Sequence, residues 1–304
     1  MDEPDRKVGM EKYICVDIGG TSIKYGVVDE EGAFLMKASA DTPASEGGSA
    51  VAARVEQILD GLVQTYTPEG ICLSTAGMVD TVKGEIVYSA PLIPDYKGLC
   101  WKKRLEERYR VPCEVENDVN CAGLAESVSG AAKGSRSAVC LTVGTGIGGC
   151  VLLDGRVYHG TGWSAGEVGY MYMDGSDWQT LGAASILCRR VSERKGGGGP
   201  WTGERVFDLA KKQDAICIQA VDEMVQALAR GIAGICCVLD PEIVVLGGGI
   251  MAQEDFLKPR LLEALAECMN PVMAEHTKLA FAHHGNSAGM LGAFYHFRQK
   301  HMKK

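Results

Sequence analysis

Two rhythms of apolar residues alternate along this chain. Short apolar runs broken by glycine predict strands at residues 13–18 and 22–28, joined by a turn at Gly19-Gly20. An acidic turn over 29–32 leads to a third strand. The pattern returns later, with strands at 139–143 and 149–153 about a glycine turn at 144–146, then an Asp154-Gly155 turn and a strand at 156–159. At an offset of about 125 residues Asp17 falls on Thr142 and Gly19 on Gly144, which suggests two related lobes, each opening with an antiparallel meander.

Between and after these meanders the period lengthens to that of amphipathic helices, predicted over 49–66, 101–109, 119–129, 181–195, 214–239, 256–269 and 288–298. Apolar strands are predicted at 70–74, 112–116 and 243–246. Strand, helix, strand order predicts a mostly parallel sheet. The lysine and four glycines at 195–199 read as a flexible link between helices. Residues 1–12 read as a mobile tail. Residues 13–118 with 288–304 read as a small N-terminal lobe, and 119–287 as a large C-terminal one.

Composition narrows the partners. The 304 residues are 46% hydrophobic and carry a net charge of -8, with Lys and Arg scattered, so nucleic acid is not expected. No stretch approaches eighteen consecutive apolar residues and the charged start lacks a signal-peptide core, which points to the cytoplasm and away from membranes. Twelve cysteines are spread along the chain, mostly inside apolar runs, with no Cys-x-x-Cys pair, with Cys236 and Cys237 as sequence neighbours that could hardly hold one ion together, and with the six histidines apart from them. Reduced, buried thiols and no zinc site are expected.

Five stretches carry candidate chemistry. In Asp17-Ile18-Gly19-Gly20-Thr21-Ser22-Ile23-Lys24 a glycine turn lets backbone N–H groups approach an anion. Thr21 adds a hydroxyl, Lys24 a charge, and the Asp17 carboxylate can hold the waters of Mg2+. Gly144-Thr145-Gly146-Ile147-Gly148-Gly149 matches the dinucleotide fingerprint in spacing, but a strand follows where that motif needs a helix, so it reads as a second phosphate-facing hairpin. Gly247-Gly248-Gly249 ends a buried strand in a turn bare enough for an adenine and ribose. Asn117-Asp118 lies at the carboxyl end of a strand, where Asp118 can accept a proton from an attacking hydroxyl, cap the next helix, or do both. Glu167, among small residues at 160–170, is placed to hydrogen-bond a polyol.

In this order the five stretches resemble the ROK family (repressor, open reading frame, kinase) of sugar kinases and sugar-responsive repressors, over about residues 12–297. The resemblance implies an α/β actin-like (ribonuclease H-like) ATPase fold, ATP with Mg2+, phosphoryl transfer to a sugar hydroxyl, and a homodimer. It implies that Asp17, Gly19, Gly20 and Thr21 form the first phosphate hairpin and Gly144, Thr145 and Gly146 the second, with Gly247 and Gly248 on the nucleotide side. It groups Gly77, Asn117 and Glu167 about the sugar and makes Asp118 the catalytic base. Three departures mark the zinc-less branch. Tyr170 stands where most relatives carry a zinc-ligating, sugar-touching His, and residues 171–178 replace the zinc segment. Gln179 stands where a Glu shortly before a helix contacts the sugar. Glucose, β-glucosides and N-acetylmannosamine are all compatible substrates. A sugar-sensing repressor would need some eighty further residues of DNA-binding domain, and an idle sugar-binding protein would need a damaged base or hairpin.

Overall fold

The structure is a computed structural model describing residues 10–89 and 92–301. In chain order its strands are β1 (Lys12–Ile18), β2 (Ser22–Asp29), β3 (Phe34–Asp41), β4 (Gly70–Thr75), β5 (Met78–Asp80), β6 (Glu85–Tyr88), β7 (Cys113–Asn117), β8 (Ser137–Val143), β9 (Ile147–Leu153), β10 (Arg156–Val157), β11 (Tyr172–Met173), β12 (Ser176–Asp177), β13 (Ile243–Gly247) and β14 (Lys278–Phe281). Its α-helices are α1 (Gly48–Thr65), α2 (Trp101–Tyr109), α3 (Asp118–Ser129), α4 (Trp178–Gly182), α5 (Ala184–Arg194), α6 (Gly203–Lys211), α7 (Ala215–Leu239), α8 (Glu254–Cys268), α9 (Pro271–His276) and α10 (Ala288–His301).

The chain folds into two compact units. One extends to Cys121 and resumes at Ser287, and the other covers Ala122–Asn286. Within the first, the sheet order is β3-β2-β1-β4-β7, antiparallel through the meander and parallel from β1 onward. Within the second, the order is β10-β9-β8-β13-β14 with the same change of sense at β8. The parallel pairing expected from strand and helix order holds for half of each sheet, and the antiparallel meander expected to open each lobe makes both sheets mixed. The same topology in both units agrees with the sequence repeat.

Strand periodicity divides the faces of each sheet. In the first unit Ile14, Val16, Ile18, Ile71, Leu73 and Val115 pack under α1 and α2 with Trp101 and Tyr96. The alternate residues of β1 face α10, where Tyr13 meets Phe294 and Phe297 at centroid distances of 5.2 and 5.5 Å. In the second unit Val139, Leu141, Val143, Val244 and Leu246 pack with α5, α7 and α8. On the other face α3 comes so close that a Cβ on Gly123 would lie 2.6 Å from Cys150 Sγ.

Several boundaries differ from the sequence reading. Lys12 belongs to β1, so the tail assigned to 1–12 is too long by at least that residue, and positions 1–9 lie outside the described residues. The helix expected over 181–195 is two helices broken at Ala183, and the strand expected over 156–159 is only two residues long. The lysine-glycine link at 195–199 lies between α5 and α6 as expected, with all four glycines at positive φ. None of the twelve cysteines is in a disulfide, but Cys237 and Cys268 are exposed and Cys100 and Cys188 only partly covered, so eight of them fit the buried expectation. Among the described residues no helix is long and apolar enough to cross a membrane.

Candidate active site

In the first unit a polar row crosses the middle of the sheet. Asp17 on β1 is in register with Lys24 on β2 and with Ser74 on β4, and Ser74 with Glu116 on β7, so their side chains share the face covered by α10. Ser74 Oγ donates to Asp17 Oδ1 at 2.7 Å, and Lys24 Nζ lies 4.0 Å from Oδ2. Burial raises the Asp17 carboxyl pKa against the opposing pull of Ser74 and Lys24. Its side chain still keeps 14% exposure. The Gly19 N–H closes the β1–β2 turn by donating to the Ser22 carbonyl at 3.0 Å, so it is committed to the hairpin. Thr42 braces the same turn, its Oγ1 donating to the Gly19 carbonyl at 2.8 Å and its N–H to the Thr21 carbonyl at 3.1 Å.

The strand-to-helix junction after β7 is built around Asn117. Its Oδ1 accepts the N–H groups of Val119 and Asn120 at 2.9 and 3.0 Å, which makes Asn117 the cap of α3. Its Nδ2 donates to the Gly77 carbonyl at 2.9 Å and to Asp118 Oδ1 at 3.0 Å. The helix starts at Asp118 itself, so the main capping load, which the sequence allowed Asp118 to carry, falls on its neighbour. Asp118 Oδ1 also accepts the Val119 N–H at 2.9 Å, and the carboxylate is half-buried. Beneath the junction lies Glu116, fully buried. Its Oε1 accepts the Asn117 N–H at 2.8 Å and Asn120 Nδ2 at 3.0 Å, and its Oε2 lies 3.4 Å from His296 Nδ1 of α10. Ser74, Thr42 and His296 carry no motif, because each acts through a partner distant in sequence, and Glu116 lies inside the Asn117-Asp118 stretch but shows its role only once that junction is folded.

In the second unit three glycine segments meet side chains on later elements. The Gly144 N–H donates to the Gly146 carbonyl at 2.9 Å, closing the β8–β9 turn. Ser185, in the first turn of α5, braces it from outside: its Oγ donates to the Thr145 carbonyl at 2.6 Å and its N–H to the Gly144 carbonyl at 3.3 Å. Gly166 packs so tightly on β9 that a Cβ there would lie 2.4 Å from the Gly149 carbonyl oxygen. This lays Glu167 beside the second hairpin, half-buried, with its carboxyl pushed up by desolvation. Gln179 reaches back between Gly146 and Gly169, for its Oε1 would lie 2.7 and 3.2 Å from Cβ atoms at those positions. It is the second residue of α4 and not a residue ahead of a helix as expected, since Trp178 already starts that helix. Tyr170 is 47% exposed. Where the zinc segment of other relatives would run, Asp174 and Gly175, both at positive φ, turn a two-residue hairpin between β11 and β12.

Val143, Gly144, Ala184, Gly203, Glu204, Phe207, Gly249, Ile250 and Gln253 enclose a cavity of about 420 Å3 in this unit, a size suited to a nucleoside. Gly249 of the third glycine run lines it. Gly247 instead packs against Ala282, and Gly248, at φ +102°, presses its Cα on the backbone of Val143. A larger groove of about 920 Å3 along α5 and α7 holds none of the motif residues.

The ROK family model matches residues 13–300. The chain belongs to the ROK family. A β-glucoside kinase of Klebsiella pneumoniae is 33% identical over 95% of this chain and 96% of its own. A ROK hexokinase from Thermus thermophilus superposes with a TM-score of 0.79 at 31% identity, covering 95% of this chain and 99% of its own. A putative N-acetylmannosamine kinase of Listeria monocytogenes does so at 0.84 and 30%, covering 95% and 99%. Like these ROK proteins the chain is a sugar kinase, and its two mixed α/β units have the actin-like ATPase fold that the motif resemblance implied.

Proposed function

We propose that this ROK protein transfers the γ-phosphoryl group of ATP, with Mg2+, to a hydroxyl of a hexose or hexose derivative such as glucose, N-acetylmannosamine or a β-glucoside. Asp118 is the general base. The observation that carries this reading is the junction after β7: Asn117 caps α3 and holds Asp118 Oδ1, which keeps the carboxylate in one orientation at the carboxyl end of a parallel strand. A fixed carboxylate can take the sugar proton as the hydroxyl attacks phosphorus, and phosphoryl transfer otherwise asks mainly for positioning and charge.

The sugar is held by Asn117, the Gly77 segment and Glu167, with Tyr170 and Gln179 in place of the commoner His and Glu. With Gly19 and Gly144 committed to their own turns, the anion donors are the N–H groups of Gly20, Thr21, Thr145 and Gly146, aided by Lys24. The cavity edged by Gly144 and Gly249, next to the turn at Gly247 and Gly248, takes the nucleoside. Asp17 suits Mg2+ held through water, because a single carboxylate is what this ion takes when substrate phosphates supply its other ligands. There it would neutralise charge on the phosphates. We place the enzyme in the cytoplasm, following its hydropathy pattern, and as a homodimer, as the family resemblance implies.

A coupled ADP-release assay over glucose, N-acetylglucosamine, N-acetylmannosamine, allose and cellobiose tests the reading. At least one sugar is expected to turn over, and Asp118→Asn to lose about a hundredfold or more of kcat while still binding it. Silence on every sugar, or wild-type turnover by Asp118→Asn, would overturn it.

A further inference from the structure

Residues 159–165 form a closed loop ahead of Glu167. The Ala165 N–H donates to the His159 carbonyl at 3.2 Å, and Gly160 comes so near Ala165 that a Cβ on it would lie 3.2 Å from the alanine's. At the tip stands Trp163 with φ +62°. That conformation is cheap for glycine and costs a bulky L residue on the order of 1–2 kcal/mol. Nothing in the fold requires a large side chain here. Trp163 belongs to neither hydrophobic core, is only partly covered, and has exposed neighbours in Gly162 and Ser164. One ring does steady it, since His159 meets it edge to face at a centroid distance of 5.4 Å. A strained position filled by a bulky side chain, braced on one edge and not buried, is the signature of a residue held for a ligand.

The surrounding stretch has the same character. Tyr158, Tyr170 and Tyr172 are 54%, 47% and 76% exposed, so a short segment about Glu167 displays an uncommon share of aromatic surface. Aromatic faces suit one partner chemistry in a polar sugar site. An all-equatorial β-glucoside carries its hydroxyls around the rim and only axial C–H groups on its faces, so its rings stack on an indole while the rim is read by carboxylates and amides.

We propose that Trp163 is a specificity-determining residue that stacks on the second ring of a β-linked glucoside, making a β-glucoside such as cellobiose the preferred acceptor over free glucose. The inference rests on the proposed role of Glu167. Four residues of chain separate Trp163 from Glu167, at most about 14 Å when fully extended, so the loop tip stays within a disaccharide's reach of a ring held by Glu167. A β-1,4 linkage continues nearly in the plane of the first ring, so the second presents its face to a platform there.

Calorimetric titration of cellobiose and of glucose into wild-type protein, Trp163→Phe and Trp163→Gly, without nucleotide, tests this apart from turnover. Glycine suits the positive φ, so Trp163→Gly removes the ring while relieving the backbone. Wild type is expected to bind cellobiose at least tenfold tighter than glucose. Trp163→Gly should lose most of that ratio, with unchanged Tm or a higher one, and Trp163→Phe should keep the ratio within about threefold. Equal losses for both sugars, a ratio unaltered by Trp163→Gly, or a change of oligomeric state on size exclusion without a change of ratio would each overturn the proposal. Glucose bound and phosphorylated with cellobiose refused would sink it while leaving the kinase reading intact. No binding of any sugar would sink both.

Discussion

The Asp17 carboxylate rests against the α-carbon of Gly289: a Cβ at position 289 would lie 2.5 Å from Asp17 Cγ, with both carboxylate oxygens within 2.6 Å. The first turn of α10 thus sets how far this acid can sit from β1. Gly289→Ala is expected to displace the carboxylate from Ser74 at a cost of about 1–3 kcal/mol in stability. The activity effect should be larger, a tenfold or greater fall in kcat with a higher Mg2+ requirement. A Mg2+ titration of the rate at saturating sugar reads it.

Gly248 presents a similar constraint in the second unit. Its φ is +102° and a Cβ would meet the Val143 carbonyl oxygen at 2.3 Å, so alanine is excluded by conformation and by space together. Gly248→Ala should push the loop after β13 away from β8, raise the KM for ATP at least tenfold, and leave sugar affinity within a few-fold. Gly249→Ala meets no protein atom within 4 Å and is expected to fold normally, which makes it a control for stability alone, since Gly249 also lines the nucleoside cavity.

Buried Glu116 accepts from the Asn117 N–H and from Asn120. Replacing it with alanine strands both donors, a loss of about 1–3 kcal/mol for each. Glu116→Gln keeps a carbonyl acceptor for the same N–H, so the fold should survive with a smaller loss of Tm. Because the Asn117-Asp118 peptide would be less firmly held, kcat is expected to fall more than KM rises. Thermal melts and steady-state kinetics on the two variants separate the effects.

Glu114, on the same face of β7, anchors the far end of α10, accepting from Lys102 at 2.6 Å, His301 at 2.7 Å and Lys300 at 2.9 Å. Burial pushes its carboxyl up, but these three donors together outweigh burial and hold it below the usual glutamate range. Its contribution is therefore complete at pH values above that of a free glutamate and is lost as pH falls through and below that value. Denaturant midpoints measured from pH 7 down to pH 3 should show this loss, and Glu114→Gln should flatten that part of the profile.

Glu167 shifts the opposite way, raised by burial alone, so it takes up a proton at a higher pH than a free glutamate. With Glu167 as a sugar acceptor, the sugar KM is expected to rise as pH falls, beginning above the range of a free glutamate, while kcat changes less. Glu167→Gln should remove this slope.

The features most legible in the sequence were those fixed by neighbours. The two meanders and their glycine turns are local hairpins, and α2 starts and stops as its apolar spacing predicts. Elements whose identity depends on distant pairing were harder. The four residues of β14 become a strand through their parallel register with β13, and nothing in Lys278–Phe281 alone dictates that. The β11–β12 hairpin shows in the sequence only through its Asp174-Gly175 turn, because strands of two residues are too short to carry an alternating pattern. Among the site residues, Asn117, Asp118 and Gly77 are brought together in the first unit and Gly146, Gly169 and Gln179 in the second. Gly203, Glu204 and Gln253 of the nucleoside cavity carried no motif, since they reach it from α6 and a short turn that fold back from far along the chain.

The matching sheets also differ at one position that matters. Asp17 corresponds to Thr142, which sits in register with Gly148 and Gly247 and so has no charged cross-strand neighbour where Asp17 has Lys24. The two halves share a topology but not a chemistry: one carries an acid and its lysine, the other bare peptide at the matching place, so exchanging the two halves would take the charged hairpin with it.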